Sequence, residues 1–277
     1  VEEIVSEIKT KTSNPIFDKY CEQNYLDNIL RGGYPLVFEN KDGKIVYHIY
    51  SRKHGDLERD YNFFVIEATK YSQGNGNFRD VVQNRRNDVI FHPEIEDFNL
   101  SMFVNLIQAD GNNPLIVQGT RFKFEGDPSI LDEVDEELKD FIMNNYFTPG
   151  EVLDRLKNKN IDEDEFIKKL LYHSSQHEQA EFGEGYWIDH WTYLMDLVDT
   201  YKEIYPDKLE EILFEKFDYK TYDSYAYVKP RKEKYKIYKR KVRQIAAVEE
   251  SHEKREIIQK RGHNYLTDTV SYTHLRA

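Results

Sequence analysis

Asn14-Pro15 and Gly32-Gly33 bracket the stretch "NPIFDKYCEQNYLDNILRGG" and leave the backbone between them one regular choice. An asparagine side chain accepts from the first unpaired N–H groups of a helix. Proline lacks the N–H that the first turn cannot use, and glycine tolerates the left-handed turn that ends a helix. The predicted helix carries Ile16, Phe17, Tyr20, Leu26, Ile29 and Leu30 on a broad apolar stripe that needs a partner. Similar punctuation recurs along the chain. A helix beginning near Phe78 ends before Pro93, and another runs from a cap at Asp97 to a stop at Gly111. "TPGE" at 148–151 is a capping box with proline in its first turn, and "DEDE" at 162–165 serves the next helix. "GYWIDHWTYLMDLVDTYKEIYP" makes a long amphipathic helix, with Leu194, Val198, Tyr201 and Ile204 inward and Pro206 ending it. By contrast, "GKIVYHIYSR" at 43–52 alternates as a strand does, through Ile45, Tyr47 and Ile49. The expected fold is mainly all-α, with short β elements in loops and a charged helical excursion at about 126–180. There is no repeat at a fixed period, which argues against a solenoid.

With 277 residues, 39% of them hydrophobic, the chain can bury a sizeable core. Its 51 acidic and 39 basic residues give a net charge of −12, which disfavours a general nucleic-acid binder. The basic run "KPRKEKYKIYKRKVR" at 229–243, interleaved with tyrosines, reads as a solvated face beside an acidic body. Cys21 is alone, so no disulfide forms within the chain and a reducing compartment is expected. No apolar run reaches the roughly 20 residues that span a bilayer. These features point to the cytoplasm, with no membrane partner.

Residue 1 is Val, and "VEEIVSEIK" starts in helical spacing without a cap. At the other end "VSYTHLRA", residues 270–277, is similar to a reading frame of a transposase sequencing adapter. The expectation is therefore an internal fragment, with residues 1–269 native and 270–277 an appended tail.

Three chemistries can be weighed on residues alone. "YSQGNGNFRDVVQNRRND" at 71–88 has Gly74 and Gly76 spaced as in a dinucleotide-binding loop, but Arg79 stands where the third glycine must let helix and strand pack closely. His173 and His177, four apart beside Glu178 and Glu181, suit a shared metal on one helical turn. They lack the H-E-x-x-H pattern and a third ligand, so no metal is expected. Arg79 and Asp80 together offer donors and acceptors to vicinal sugar hydroxyls, and Trp187 offers an aromatic face to a pyranose ring. Taken alone, an Arg–Asp pair is more often a surface ion pair, and a tryptophan is more often part of a core.

The glycine-rich stretch followed by "FRDVVQ" resembles the G-[YF]-R-D-x-x-Q-D segment of inverting disaccharide phosphorylases, the cellobiose phosphorylase group. "YWID" is similar to that family's W-N-D segment, and the order and separation of about a hundred residues also agree. "RGGYP", "RKHGDLERDYNFF" and "FGEGYWIDHWTY" resemble the long members that act on 1,2-β-oligoglucans. The resemblance spans roughly residues 25–125 and 180–205. It implies a six-hairpin (α/α)6 toroid, incomplete within 1–269. It also implies Asp189 as general acid, and Arg79, Asp80 and Trp187 lining the subsite of the transferred sugar, with Gln83 matching the motif's glutamine. Two positions depart from the shorter members: Asn84 replaces a second aspartate and Ile188 an asparagine. These departures bear on cellobiose specificity more than on reaction type.

The implied reaction cleaves a β-linked gluco-disaccharide or oligosaccharide with inorganic phosphate and needs no cofactor. Asp189 protonates the glycosidic oxygen, phosphate attacks the anomeric carbon from the opposite face, and α-glucose 1-phosphate leaves. An inverting hydrolase would need a second carboxylate as base. A non-catalytic carbohydrate-binding protein would bind sugar without turnover. Asp189 is expected in the first turn of its helix, where the helix dipole favours a charged carboxylate. Burial against Trp187 and nearby negative charge oppose that preference. The resemblance places the phosphate-binding residues downstream of this chain, and it leaves assembly into a homo-oligomer open.

Overall fold

The computed structural model describes residues 2–51, 68–158, 160–182, 188–216, 219–244 and 248–266. In chain order the elements begin α1 (Glu2–Ser6), α2 (Pro15–Gly32), β1 (Tyr34–Asn40), β2 (Gly43–Ile49), β3 (Gly76–Asn77), α3 (Phe78–Arg85) and α4 (Asp88–Phe91). Next come α5 (Phe98–Asn105), β4 (Ile116–Phe124), α6 (Glu136–Asn144), α7 (Pro149–Arg155), α8 (Glu163–Tyr172), β5 (Ser174–Glu181) and α9 (His190–Ile204). The remainder is β6 (Thr221–Tyr222), β7 (Ala226–Val228), β8 (Tyr235–Tyr238), β9 (Lys241–Gln244), β10 (Val248–Glu250), α10 (His252–Arg261) and β11 (Tyr265–Leu266). The chain divides into two compact units, one of residues 1–96 with 117–179, the other of 97–116 with 180–277.

This is a mixed α/β fold with several small antiparallel sheets, which corrects the expectation of a mainly all-α chain and of a partial (α/α)6 toroid. The helices expected from Asn14, Asp97, Thr148 and Asp162 begin there, whereas the helix expected over "GYWIDHWTYLMDLVDTYKEIYP" begins at His190; the difference in class lies in the additional strands, β5 above all, which carries no apolar alternation. In the first unit β1 and β2 form a hairpin with Asn40 opposite Gly43. A three-stranded sheet runs in the order β3-β4-β5. Leu115 N–H bonds Glu181 O at 2.8 Å, and Glu125 N–H bonds His173 O at 2.9 Å, so β4 and β5 run antiparallel. Within β4, "TRFKF" alternates and buries Thr120, Phe122 and Phe124.

The first unit's core gathers Tyr47 of β2, Phe122 of β4, Ile142 of α6, Phe147, and Ile167 and Leu170 of α8. Tyr47 and Phe122 meet edge-on with ring centroids 5.5 Å apart. The 126–180 excursion is helical only through α8, since its last residues form β5. Asn40 holds the end of α8 by donating to Leu171 O and Ser174 O, both at 2.8 Å, which satisfies carbonyls the helix leaves unpaired. The Thr148 capping box is present on both sides: Glu151 N–H bonds Thr148 Oγ1 at 3.2 Å, and Thr148 N–H bonds Glu151 Oε2 at 2.9 Å.

Several apolar faces differ from their reading. Helix α2 begins where predicted, with Asn14 Oδ1 accepting from Ile16 and Phe17 N–H, but Ile16, Phe17 and Tyr20 are exposed while Tyr25 and Ile29 are buried. Both faces of β2 are buried, so Val46 and His48 lie inside along with Ile45, Tyr47 and Ile49. The helix expected over 78–92 is two, α3 and α4, separated at Arg86–Asn87. α5 stops at Asn105 rather than at Gly111, and Ile204 on α9 is exposed.

In the second unit α5 packs on α9, with Leu100, Phe103, Leu194, Leu197 and Tyr201 buried. Pairs β6–β11, β7–β10 and β8–β9 follow. The basic run forms the β8–β9 hairpin, whose tip residues Lys239 and Arg240 both adopt left-handed φ, 49° and 60°. Among the described residues no helix is long and apolar enough to cross a membrane.

Candidate active site

The glycines of "QGNG" serve packing. A Cβ at Gly76 would lie 2.4 Å from Val81 Cγ2 of α3. Gln73 lies against Gly119, which has φ +122°. Gln73 Nε2 donates to Thr120 O at 2.6 Å, and its Oε1 accepts from Thr120 N–H at 2.8 Å. That clamp fixes the loop to β4 and sets the start of α3.

Asn77 takes the N-cap position of α3 but makes no side-chain cap bond. Its Nδ2 donates instead to Asp80 Oδ2 at 3.3 Å, while Arg79 Nε donates to Asp80 Oδ1 at 3.2 Å. Asp80 is largely shielded and Arg79 is exposed over about two fifths of its side chain. The Oδ1 of neighbouring Asn75 is buried and has no hydrogen-bond partner among the described residues. Between Asn75 and Asp80 the chain thus collects a guanidinium, a carboxylate and two amides, a mixed set of donors and acceptors. Gln83 is half-buried one turn on. Asn84 serves the fold instead. Its Nδ2 donates to Asp80 O at 2.6 Å, a bond that an aspartate at this position could not make when ionised.

Asp189 belongs to the second unit, at the N-cap of α9, with αR backbone and no side-chain cap bond. It is exposed, as is Ile188, so its carboxylate is not consumed in holding the helix. The next residue, His190, is buried, and its Nδ1 lies 2.8 Å from Asn113 Oδ1. That oxygen can only accept, so Nδ1 carries the proton. Trp191, partly exposed, follows one turn after Ile188. Trp187 lies outside the described residues. Arg79, Asp80 and Gln83 are therefore brought together in one unit, and Asp189 stands in the other.

The two histidines do not share a helical face. His173 is the C-cap of α8, and His177 lies within β5, where its Nε2 sits 2.9 Å from Ser175 Oγ. Four residues of strand span about 13 Å, too far for a common ion. Among the described residues no three His, Cys, Asp or Glu side chains are grouped to hold a metal. An open groove of about 510 Å³ runs along β1 and α8, is lined by Glu39, Glu165, Lys168, Lys169 and Tyr172 among others, and includes none of Arg79, Asp80 or Gln83.

Sequence reasoning missed a buried charge network in the first unit: His48 at 3% exposure, Arg85 at 4%, and Asp88 and Glu178 at 6% each. His48 Nε2 lies 2.8 Å from Asp88 Oδ2. Arg85 Nε donates to Gly32 O at 2.6 Å, tying α3 to the end of α2. Glu178 accepts from Thr120 Oγ1 and Gln176 Nε2, each at 2.8 Å. Burial pushes the Glu178 carboxyl up, opposed by the Arg85 charge and those hydrogen bonds. Part of the signal is local: His48 stands inside "IVYHIY" and Asp88 beside "VIF", whereas Glu178 lies in "SSQHEQAE", which has no apolar alternation. At such depth the His48–Asp88 pair holds structure rather than meeting a reactant.

Burial, reinforced by the charges of Arg85 and His92, holds the His48 imidazole well below its ordinary range. The bond to Asp88 does not require a charged ring, because a neutral imidazole donates through Nε2–H. Unfolding therefore lets His48 take up a proton below about pH 6.5, and stability is complete above that pH and falls as pH drops through it. The expected contribution to the slope is about 1.4 kcal/mol per pH unit. His48→Gln should remove it, as read from urea unfolding across pH 5 to 8; an unchanged slope would show that His48 is not the group responsible.

No protein-family model matches the chain, and no curated protein matches it.

Proposed function

We propose that the chain carries the sugar-binding and acid-donating part of an inverting β-glucoside phosphorylase. The observation that carries this reading is the donor–acceptor cluster at the start of α3, where Arg79 and Asp80 bond to one another beside Asn77 and an unpartnered Asn75 Oδ1. A neutral sugar presents hydroxyls that donate and accept together, so it suits a paired guanidinium and carboxylate better than an anion or a cation would. Asp189 supports the second half, because its carboxylate is exposed and caps nothing. The fold lends no support: a mixed α/β chain is not the toroid of the resembling family, and the reading stands on these residues alone. In it Asp189 donates the proton, Arg79, Asp80, Trp187 and Gln83 hold the transferred glucosyl unit, and inorganic phosphate is co-substrate without any cofactor. The setting is cytoplasmic, with neither nucleic acid nor membrane as partner.

The native protein, incubated with β-1,2- or β-1,4-linked glucose disaccharides and phosphate, should release α-glucose 1-phosphate, resolved by ³¹P and ¹H NMR. Release of free glucose alone would replace phosphorolysis with hydrolysis. A β-anomeric phosphate would overturn inversion, and the absence of any turnover would overturn the enzyme reading.

A further inference from the structure

Among the described residues the β1–β2 sheet of the first unit has two strands, so one side of β1 has no strand beside it. Asn40 stands opposite Gly43 across a two-residue turn. Such a turn closes on a hydrogen-bonded pair, and bonded and non-bonded pairs then alternate along the ladder. Val37, opposite Val46, and Glu39, opposite Lys44, therefore fall in non-bonded pairs, whose N–H and C=O groups point out of the hairpin. A side chain on the far edge agrees with this phase. Gln176 Nε2 donates to Val46 O at 2.9 Å, so that carbonyl does point outward. On β1 the outward groups of Val37 and Glu39 have no hydrogen-bond partner among the described residues. Pro35 shares their phase, opposite His48, and the hairpin forms without its N–H.

This edge borders the open groove, because Val37, Phe38 and Glu39 line it from one side. From the other side come Glu165, Lys168, Lys169 and Tyr172, whose helical spacing puts them on one face of α8. That face is about 10 Å long, the length of about three residues of extended chain. Val37 and Glu39 repeat their donors and acceptors at about 7 Å, and another strand repeats at the same spacing. A helix has already used its backbone groups, so an extended segment is the occupant that fits. The groove takes a single strand, since a second copy would bring its own α8 and lysines against these. Charge narrows the segment further. Lys168 pairs with Glu165 and Lys169 with Glu133, each at 2.7 Å, but all four side chains are at least two fifths exposed. Exposed pairs hold weakly, so either lysine can turn to an incoming carboxylate.

We propose that the β1 edge and α8 form a docking groove for an extended segment of a partner protein, which adds to β1 as a strand and sets an acidic side chain at Lys168 and Lys169. The groove shares no residue with the proposed sugar site, so either can stand without the other.

The probe is the capped peptide acetyl-Lys-Val-Thr-Val-Glu-Thr-amide, titrated into the whole chain and followed by NMR. It should bind saturably and slow amide exchange at Val37 and Glu39 by roughly 10-fold. Phe38 should change little, since its N–H already lies in the hairpin ladder. N-methylation separates strand addition from side-chain capture. Methyl groups on the alternate peptide residues that face β1 should abolish binding, and those on the other set should not. Replacing the peptide's glutamate by lysine should weaken binding, most at low salt. Val37→Pro should shift the melting temperature by no more than about 2 °C and weaken the peptide about 10-fold. The exchange and N-methyl readouts use the native chain, so they decide the matter even where that variant folds poorly. Amides of Val37 and Glu39 already protected without peptide would mean that this chain covers its own edge, and protection that grows with protein concentration would put a second copy there. Either result overturns the proposal, as does absence of binding, or equal binding by both methylated peptides or by the charge-reversed one.

Discussion

Asp189→Asn is expected to reduce phosphorolysis of a β-linked glucose disaccharide by roughly 10²–10⁴-fold, the range that general-acid assistance supplies. The substitution keeps the side chain's shape and removes its transferable proton. A sugar alkoxide is a poor leaving group, so the natural donor depends heavily on that proton. A β-glucosyl fluoride departs as fluoride with little assistance, and its reaction with phosphate should be much less impaired. Since the Asp189 carboxylate makes no cap bond to α9, the change should leave the helix and the melting temperature unaltered. Arg79→Ala should behave differently. In the proposed reading it would hold the sugar ring common to both donors, so it should weaken both alike. Equal losses with both donors in Asp189→Asn would remove the acid role, and an active variant on the disaccharide would remove Asp189 from the site altogether.

Arg85→Leu is expected to produce the largest loss of stability, about 3–5 kcal/mol, because it leaves buried charge without its counterpart. Arg85 is enclosed beside Glu178 and Asp88, and both carboxylates favour its charged form. The substitution also removes the Nε–H bond to Gly32 O, so the end of α2 loses its tie to α3. Glu178 can relieve part of the loss by taking up a proton, for which its burial already prepares it. The destabilisation should therefore be greater at pH 8 than at pH 5, and combining Arg85→Leu with Glu178→Gln should recover part of it. Urea unfolding of the two single variants and the double variant measures the coupling. An additive result, or a loss under about 1 kcal/mol for Arg85→Leu, would mean that these charges are held apart by solvent rather than by one another.

The two substitutions address layers of the molecule that differed in legibility. Helix starts were legible because a cap is a local event. Asn14, Thr148 and Asp162 each bond N–H groups two or three residues ahead, and every partner lies in the same short stretch of sequence. The Arg79–Asp80 pair was legible for the same reason, being adjacent in sequence and bonded in the structure. Helical stripes were legible only in part. A periodicity states which residues share a face but not which end of that face another element covers, and so Ile16 and Phe17 are exposed although Ile29 is buried.

Local sequence alone was enough for the helix starts and for the cluster at the start of α3. Strand β5 was decided elsewhere. "SSQHEQAE" has no apolar alternation, and it is extended because β4 offers it a ladder of backbone partners. His173 and His177 lost their helical spacing with it. The buried network has the same origin. Arg85 meets Gly32 across 53 residues, His48 meets Asp88 across 40, and Thr120 meets Glu178 across 58. No window of sequence contains such pairs. Only the packed chain excludes water from both partners at once, and that exclusion turns an ordinary surface charge into one that must be matched.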